Sequence, residues 1–171
     1  MVMVHANLRP GLAAQEIDTR LKELNLQLPP PVGSAGSYVP WVRYGNIVVI
    51  SGQGPVLPGG KLSPDYQGTV GRDVSLEVAR DAARIAAINT LSHLKTACDG
   101  DLDKVKKIIR LMGFVRSVPD FPYLPKVLDG ASDLLVDVFG EKGKHARYVA
   151  GVSALPFNFV VTLELMVELQ A

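Results

Sequence analysis

Cysteine is nearly absent: Cys98 stands alone in 171 residues, which excludes an intramolecular disulfide framework and any multi-cysteine metal cluster. Histidine is scarce as well. His5, His93 and His145 show no ligand spacing of the H-x-x-x-H kind, so no metal or other cofactor is expected. An excess of one charge sign is missing. Eighteen Lys and Arg against seventeen Asp and Glu leave +1, without the basic face or stripe of an electrostatic nucleic-acid binder. No apolar run approaches the roughly 18 residues that span a bilayer, and the N-terminus lacks a signal-peptide core. These absences lead to the expectation of a soluble cytoplasmic domain with no membrane or nucleic-acid partner. What is present is a globular balance of 47% hydrophobic and 20% charged residues, with no compositional case for disorder.

Ile17, Leu21, Leu24 and Leu28 recur at i, i+4, i+7 and i+11, which predicts a helix over 13–28 with one apolar face. Pro29-Pro30-Pro31 forbids its continuation, because proline removes the backbone donor and clashes with the preceding turn. Residues 1–36 are read as an N-terminal helix with a Pro/Gly connector, and 37–171 as the domain on which it docks.

Within that domain, 38–44 and 46–52 read as two strands joined at Gly45-Asn46, a plausible tight hairpin turn. The run Ile47-Val48-Val49-Ile50 is expected to lie in a central strand buried on both faces. Residues 55–71 form a long loop with a turn at Pro58-Gly59-Gly60. The strongest helix signal spans 73–98, where Leu76, Ala79, Ala83, Ala86, Leu91 and Leu94 keep the 3.6-residue period. Asp73 or Ser75 can cap its start, and Gly100 sits where a left-handed stop is expected. A third strand follows over 105–116, although its start equally fits the end of a helical turn. A helix over 124–139 ends at Gly140, and strands over 146–155 and 159–169 close the chain.

The order β-β-α-β-α-β-β specifies an α+β fold. If both strand–helix–strand crossovers are right-handed, both helices cover the same face of one sheet. The other face then lacks a helix yet carries Val160 and Met166 beside Thr162 and Glu164. A partly apolar open face predicts a homo-oligomer, with Glu164 placed at a cleft between subunits.

Other motifs carry less. The segment from Gly54 to Lys61 misses the phosphate-loop register, since Gly60 intervenes before Lys61 and Leu62 follows it. Cys98 reads as a packed thiol and His93 as solvated; His145 is the one histidine considered for function. No Ser/His/Asp set can be assembled from spacing.

Tyr38-Val39, Gly45-Asn46, Ser51-Gly52-Gln53-Gly54-Pro55, Gly113-Phe114-Val115, Ala146-Arg147 and Leu155-Pro156, taken together, resemble the Rid (reactive intermediate deaminase, YjgF) family, also labelled endoribonuclease L-PSP. The resemblance covers about residues 32–169, with the N-terminal helix marking a longer, divergent subgroup. It implies a chorismate-mutase-like fold assembled as a homotrimer, with small-molecule clefts at the subunit interfaces. It also implies hydrolysis of enamines and imines to keto acids and ammonia. Tyr38 would then supply an aromatic wall, Ser51 a hydrogen bond, Phe114 and Asp129 further lining, and Glu164 the water-orienting carboxylate. Ala154 stands where the family has the arginine that grips the substrate carboxylate, and Asp129 where an asparagine would match. Arg147 differs from Ala154 in strand parity, so a regular strand points them to opposite faces. Arg43 and Arg116 are the other candidates for a replacement cation. The alternative functions are a non-catalytic ligand-binding or regulatory module and, lowest in rank, RNA cleavage.

Overall fold

The structure, a computed structural model, describes residues 16–34 and 36–171. Among the described residues, seven strands and three α-helices follow one another as α1 (Glu16–Glu23), β1 (Trp41–Tyr44), β2 (Ile47–Gln53), β3 (Val56–Leu57), β4 (Lys61–Leu62), α2 (Leu76–Ala97), β5 (Val105–Arg116), α3 (Leu124–Phe139), β6 (Ala146–Val152) and β7 (Val161–Leu169). Five strands form one sheet in the order β1-β2-β7-β5-β6, so the last strand inserts at the centre. Only β5 and β6 pair in parallel, linked by the α3 crossover; the other neighbours are antiparallel. β3 and β4 form a small separate ribbon inside the long loop.

Alternation along β7 determines which face is covered. Val161, Leu163, Leu165, Val167 and Leu169 are buried, whereas Thr162, Glu164, Met166 and Glu168 are only half-buried. The buried set joins Val48 and Ile50 of β2, Ile108 and Leu111 of β5, and the apolar stripes of α2 and α3 in one core. Small residues bring the two helices together: a Cβ at Gly130 of α3 would run into the backbone of Arg80 on α2. Both helices therefore lie on one face of the sheet, as the handedness argument expects. Among the described residues no helix is long and apolar enough to cross a membrane.

Several expectations shift. Residues 13–15 of the first predicted helix and Ala35 of the connector lie outside the described residues, as does His5. The helix stops at Glu23, five residues early, because Asn25 takes the left-handed conformation (φ 52°) and Leu26 N–H closes on Leu21 O at 2.8 Å. That wide closing bond is the signature of a Schellman-type stop, which asparagine tolerates. Leu24, Leu26 and Leu28 still pack against the core, Leu24 from the closing turn and the other two from beyond it. At the start of α1, the Asp103 carboxylate accepts the Glu16 and Ile17 N–H groups at 3.2 and 3.1 Å, complementing the helix dipole.

Ser75, rather than Asp73, caps α2 by accepting from Val78 N–H. Asp73 instead accepts from Thr69 N–H and pairs with Arg72. β2 is interior to the sheet but not buried on both faces: Val48 and Ile50 are enclosed, whereas Val49 is 39% exposed. His93 is only 3% exposed rather than solvated. It lies in the stretch Asn89–Leu94, buried at every position. The N-terminal segment helps enclose this end of α2, since Asp18 pairs with Lys95 at 2.8 Å and Leu28–Pro31 face Ser92 and Thr96.

Candidate functional site

The uncovered face of the sheet can be read row by row from its register. One row runs Val42, Val49, Met166, Arg110 and Ala146. The next holds Ser51 and Gly52, then Glu164, Met112 and Tyr148. Two β2 residues oppose Glu164 because the β2–β7 register slips between Ile50 and Gln53. Phe114 follows between Thr162 and Ala150. Val42, Tyr44, Val49 and Tyr148 are 57%, 88%, 39% and 58% exposed. This is a largely apolar face with one carboxylate near its middle and the exposed Arg110 in the neighbouring row. Glu168, at the margin, pairs with Lys106 at 2.8 Å. Glu164 is half-buried and has no hydrogen bond or ion pair among the described residues.

The site residues expected from sequence therefore divide into groups. Ser51, Phe114 and Glu164 share the open face. The Ser51 hydroxyl donates to Val39 O at 2.7 Å, which leaves its lone pairs as acceptors. Ala154 is exposed just beyond the end of β6. Asp129 lies on the other side of the sheet, on α3, and accepts from Arg147 Nη1 at 2.8 Å. Arg147 is opposite the buried Leu111 in the β5–β6 register, which places it on the helix side. It is thus held away from Glu164 within one chain, as its parity implies. Arg116 ends β5 on the open face beside Val152; its buried Nε has no partner among the described residues.

Tyr38, 55% exposed, lines a cleft of about 260 Å³ at the end of β2 together with Gly52–Gly54, Val56, Leu62, Phe157 and Phe159. The wall is set from behind. Asn89 of α2 donates both amide hydrogens, to Gly54 O at 2.9 Å and Val56 O at 2.8 Å. The Phe159 ring occupies the space that a Cβ on residue 54 would need, 2.5 Å from its ideal position. Sequence periodicity carries no sign of this clamp, because Asn89 is one of several polar residues in the second half of α2.

A second unforeseen network ties α3 to the edge strand β6. His145 Nδ1–H donates to Gly143 O at 2.6 Å, so in the neutral ring Nε2 accepts from the Ser132 hydroxyl at 3.1 Å. Burial lowers the His145 pKa below its ordinary value, against the opposing hydrogen bond to Gly143. Arg147 also donates to Ser132 Oγ, at 3.1 Å. Burial likewise lowers His93 and pushes the Cys98 thiol up to about 11, which makes it a packed and unreactive group.

A two-helix layer over one face of a five-stranded sheet defines a chorismate-mutase-like class of protein. The chain belongs to the YjgF family: the family model described as "YjgF/chorismate_mutase-like, putative endoribonuclease" matches residues 18–169. Protein TCP17 of Trypanosoma cruzi is 36% identical over 159 residues, spanning 92% of this chain and 97% of the relative. The crystal structure of Atu1372 from Agrobacterium tumefaciens is 41% identical with a TM-score of 0.84, covering 96% of this chain and 100% of that one. A Shewanella oneidensis protein of known structure is 38% identical with the same TM-score, covering 90% and 99%.

Proposed function

We propose that the protein is a cytoplasmic homotrimer with small-molecule clefts between subunits, where Glu164 directs water onto a carbon–nitrogen double bond. The observation that carries this reading is the half-buried Glu164 carboxylate, unpartnered among the described residues on an apolar face. A copy of the chain covering that face would desolvate the carboxylate further, and an unpaired buried charge is costly unless it meets a ligand or water. In the reaction, Glu164 accepts a proton as water oxygen bonds to the imine carbon, and returns it to nitrogen. A second proton then passes from the new hydroxyl to nitrogen as the C–N bond breaks, giving a carbonyl compound and ammonia.

Recognition of a substrate carboxylate at the family's position is weak in this reading, because Ala154 carries no charge and Arg147 is engaged by Asp129, which leaves Arg116 on the open face as the candidate cation. Loss of one partner of a buried charge pair costs about 2–5 kcal/mol, or roughly 30- to 3000-fold in binding. The test is keto-acid release from 2-aminoacrylate generated in situ, compared between the native protein and Glu164→Gln. Slow turnover abolished by the substitution supports the proposal; fast turnover indifferent to Glu164 refutes it. The engagement of Arg147 away from Glu164 also favours a second reading, a ligand-binding module without chemistry, which predicts thermal stabilisation by a metabolite and no product. RNA cleavage ranks last, since a net charge of +1 supplies no electrostatic footprint for a polyanion.

A further inference from the structure

We propose that Ser132 is an activated nucleophile, with His145 as its general base, and that the pair takes acyl groups from small esters. The two residues lie on the helix side of the sheet, so the proposal goes beyond the Glu164 reading and uses none of its residues. His145 is also the one histidine that the sequence singles out, and the carbon–nitrogen chemistry leaves it idle.

The hydroxyls of α2 show what a helical serine or threonine ordinarily does. Thr90, Ser92 and Thr96 donate to the carbonyls of Ala86, Ile88 and Ser92, at 2.9, 3.1 and 3.3 Å. Each bond runs four residues back and ties the hydroxyl to its own helix. Ser132 of α3 instead meets His145 Nε2 at 3.1 Å. A third group orients the ring: Nδ1–H donates to Gly143 O at 2.6 Å, which leaves the lone pair on Nε2. Gly143 is held in turn, because a Cβ there would run into Leu135 O of α3. Arg147 Nη1 donates to Ser132 Oγ at 3.1 Å, so the hydroxyl proton is left to His145. Nucleophile, base and orienter follow one another within hydrogen-bond reach, the arrangement that covalent catalysis requires.

The charges around the imidazole keep it a base. Arg147 from β6 and Lys107 from β5 both disfavour the positive ring, adding to the effect of burial. Asp129 of α3 is taken up by Arg147, Asp133 by Arg80, and Glu141 by Lys144. Ser132 and His145 are half-buried, and the Arg147 and Asp129 side chains beside them stay 27% and 40% exposed. A small ester approaches from that side. Ser132 Oγ bonds to the acyl carbon as its proton passes to Nε2; the ester C–O bond breaks and the alcohol leaves with that proton. Water then adds to the acyl carbon, giving a proton to Nε2. That proton returns to Oγ as the acyl–Oγ bond breaks and the acid departs.

The full chain is incubated with p-nitrophenyl acetate and, separately, with an alkyl fluorophosphonate. Adducts are mapped by peptide mass spectrometry, with circular dichroism on each variant. Release of p-nitrophenol and a fluorophosphonate adduct on Ser132 are expected, both lost in Ser132→Ala. His145→Gln keeps a hydrogen-bonding side chain but no base, and should slow the adduct at least about 100-fold. In the native protein the rate should rise with pH and be half-maximal below the ordinary histidine value of 6.5. Ser132→Cys gives a readout independent of those variants. Iodoacetamide should alkylate position 132 ahead of Cys98, whose thiol burial pushes up to about 11. No adduct on Ser132, a smaller slowing in His145→Gln, a rate that keeps climbing into alkaline pH, or alkylation of Cys98 first each overturns the proposal.

Discussion

Replacing Asn89 with leucine isolates the clamp that shapes the cleft. The asparagine is 9% exposed and its amide spans Gly54 O and Val56 O at 2.9 and 2.8 Å. Leucine keeps the same branching but donates nothing, so two carbonyls of the cleft wall lose their partner. A typical hydrogen bond contributes about 0.5–1.5 kcal/mol net, so two lost bonds destabilise the fold by about 1–3 kcal/mol. For a chain of this length each kcal/mol lowers Tm by roughly 2–4 °C, which gives an expected drop of about 2–12 °C. The measurement is thermal unfolding at fixed protein concentration, because an oligomer's Tm depends on concentration. Asn89→Asp is expected to be worse, since its carboxylate faces the same two carbonyls. A Tm within about 1 °C of native for Asn89→Leu would refute the reasoning, by showing that water satisfies both carbonyls.

Arg147→Met separates the two sides of the sheet: the Arg147–Asp129 pair is partly exposed, so its loss costs at most about 1 kcal/mol. Turnover or ligand binding should not change, and a large loss would place Arg147 in the site after all. On the open face, Val49→Asp should weaken self-association without unfolding the chain, read by light scattering alongside circular dichroism; unchanged assembly would contradict the assignment of that face. His93 and His145 are both held below their ordinary value near 6.5 by burial. The unfolded chain therefore binds protons first, and stability rises with pH across the window below that value. Urea unfolding at about pH 5.5 and 7.5 should show this loss on acidification, and His93→Gln with His145→Gln should flatten it; an unchanged slope would contradict the burial argument.

Periodicity in the sequence exposes the strands and long helices well because their burial is one-sided. β7 alternates without a break, α3 keeps its stripe, and both match the observed bounds closely. The early stop of α1 at Asn25 escapes such a reading, since asparagine in the left-handed conformation is an option rather than a rule. Burial of His93 escapes it for another reason. The whole stretch Asn89–His93 is buried by packing between distant elements, which no local pattern encodes. Glu164 falls on the uncovered face by strand parity, which the sequence shows; Ser51 and Phe114 join it through the register of the sheet. The Asn89 clamp and the Ser132–His145–Arg147 network join elements distant in the chain, and side chains that meet only in the folded state leave no spacing to detect.

The face that carries Glu164 has Val42, Tyr44, Val49 and Tyr148 open to water, an apolar surface that association would bury. Sedimentation equilibrium on the full chain tests this most directly. The account predicts a particle of three times the 18.4 kDa chain mass at micromolar protein, dissociating in Val49→Asp. A stable 18.4 kDa species at those concentrations would contradict it.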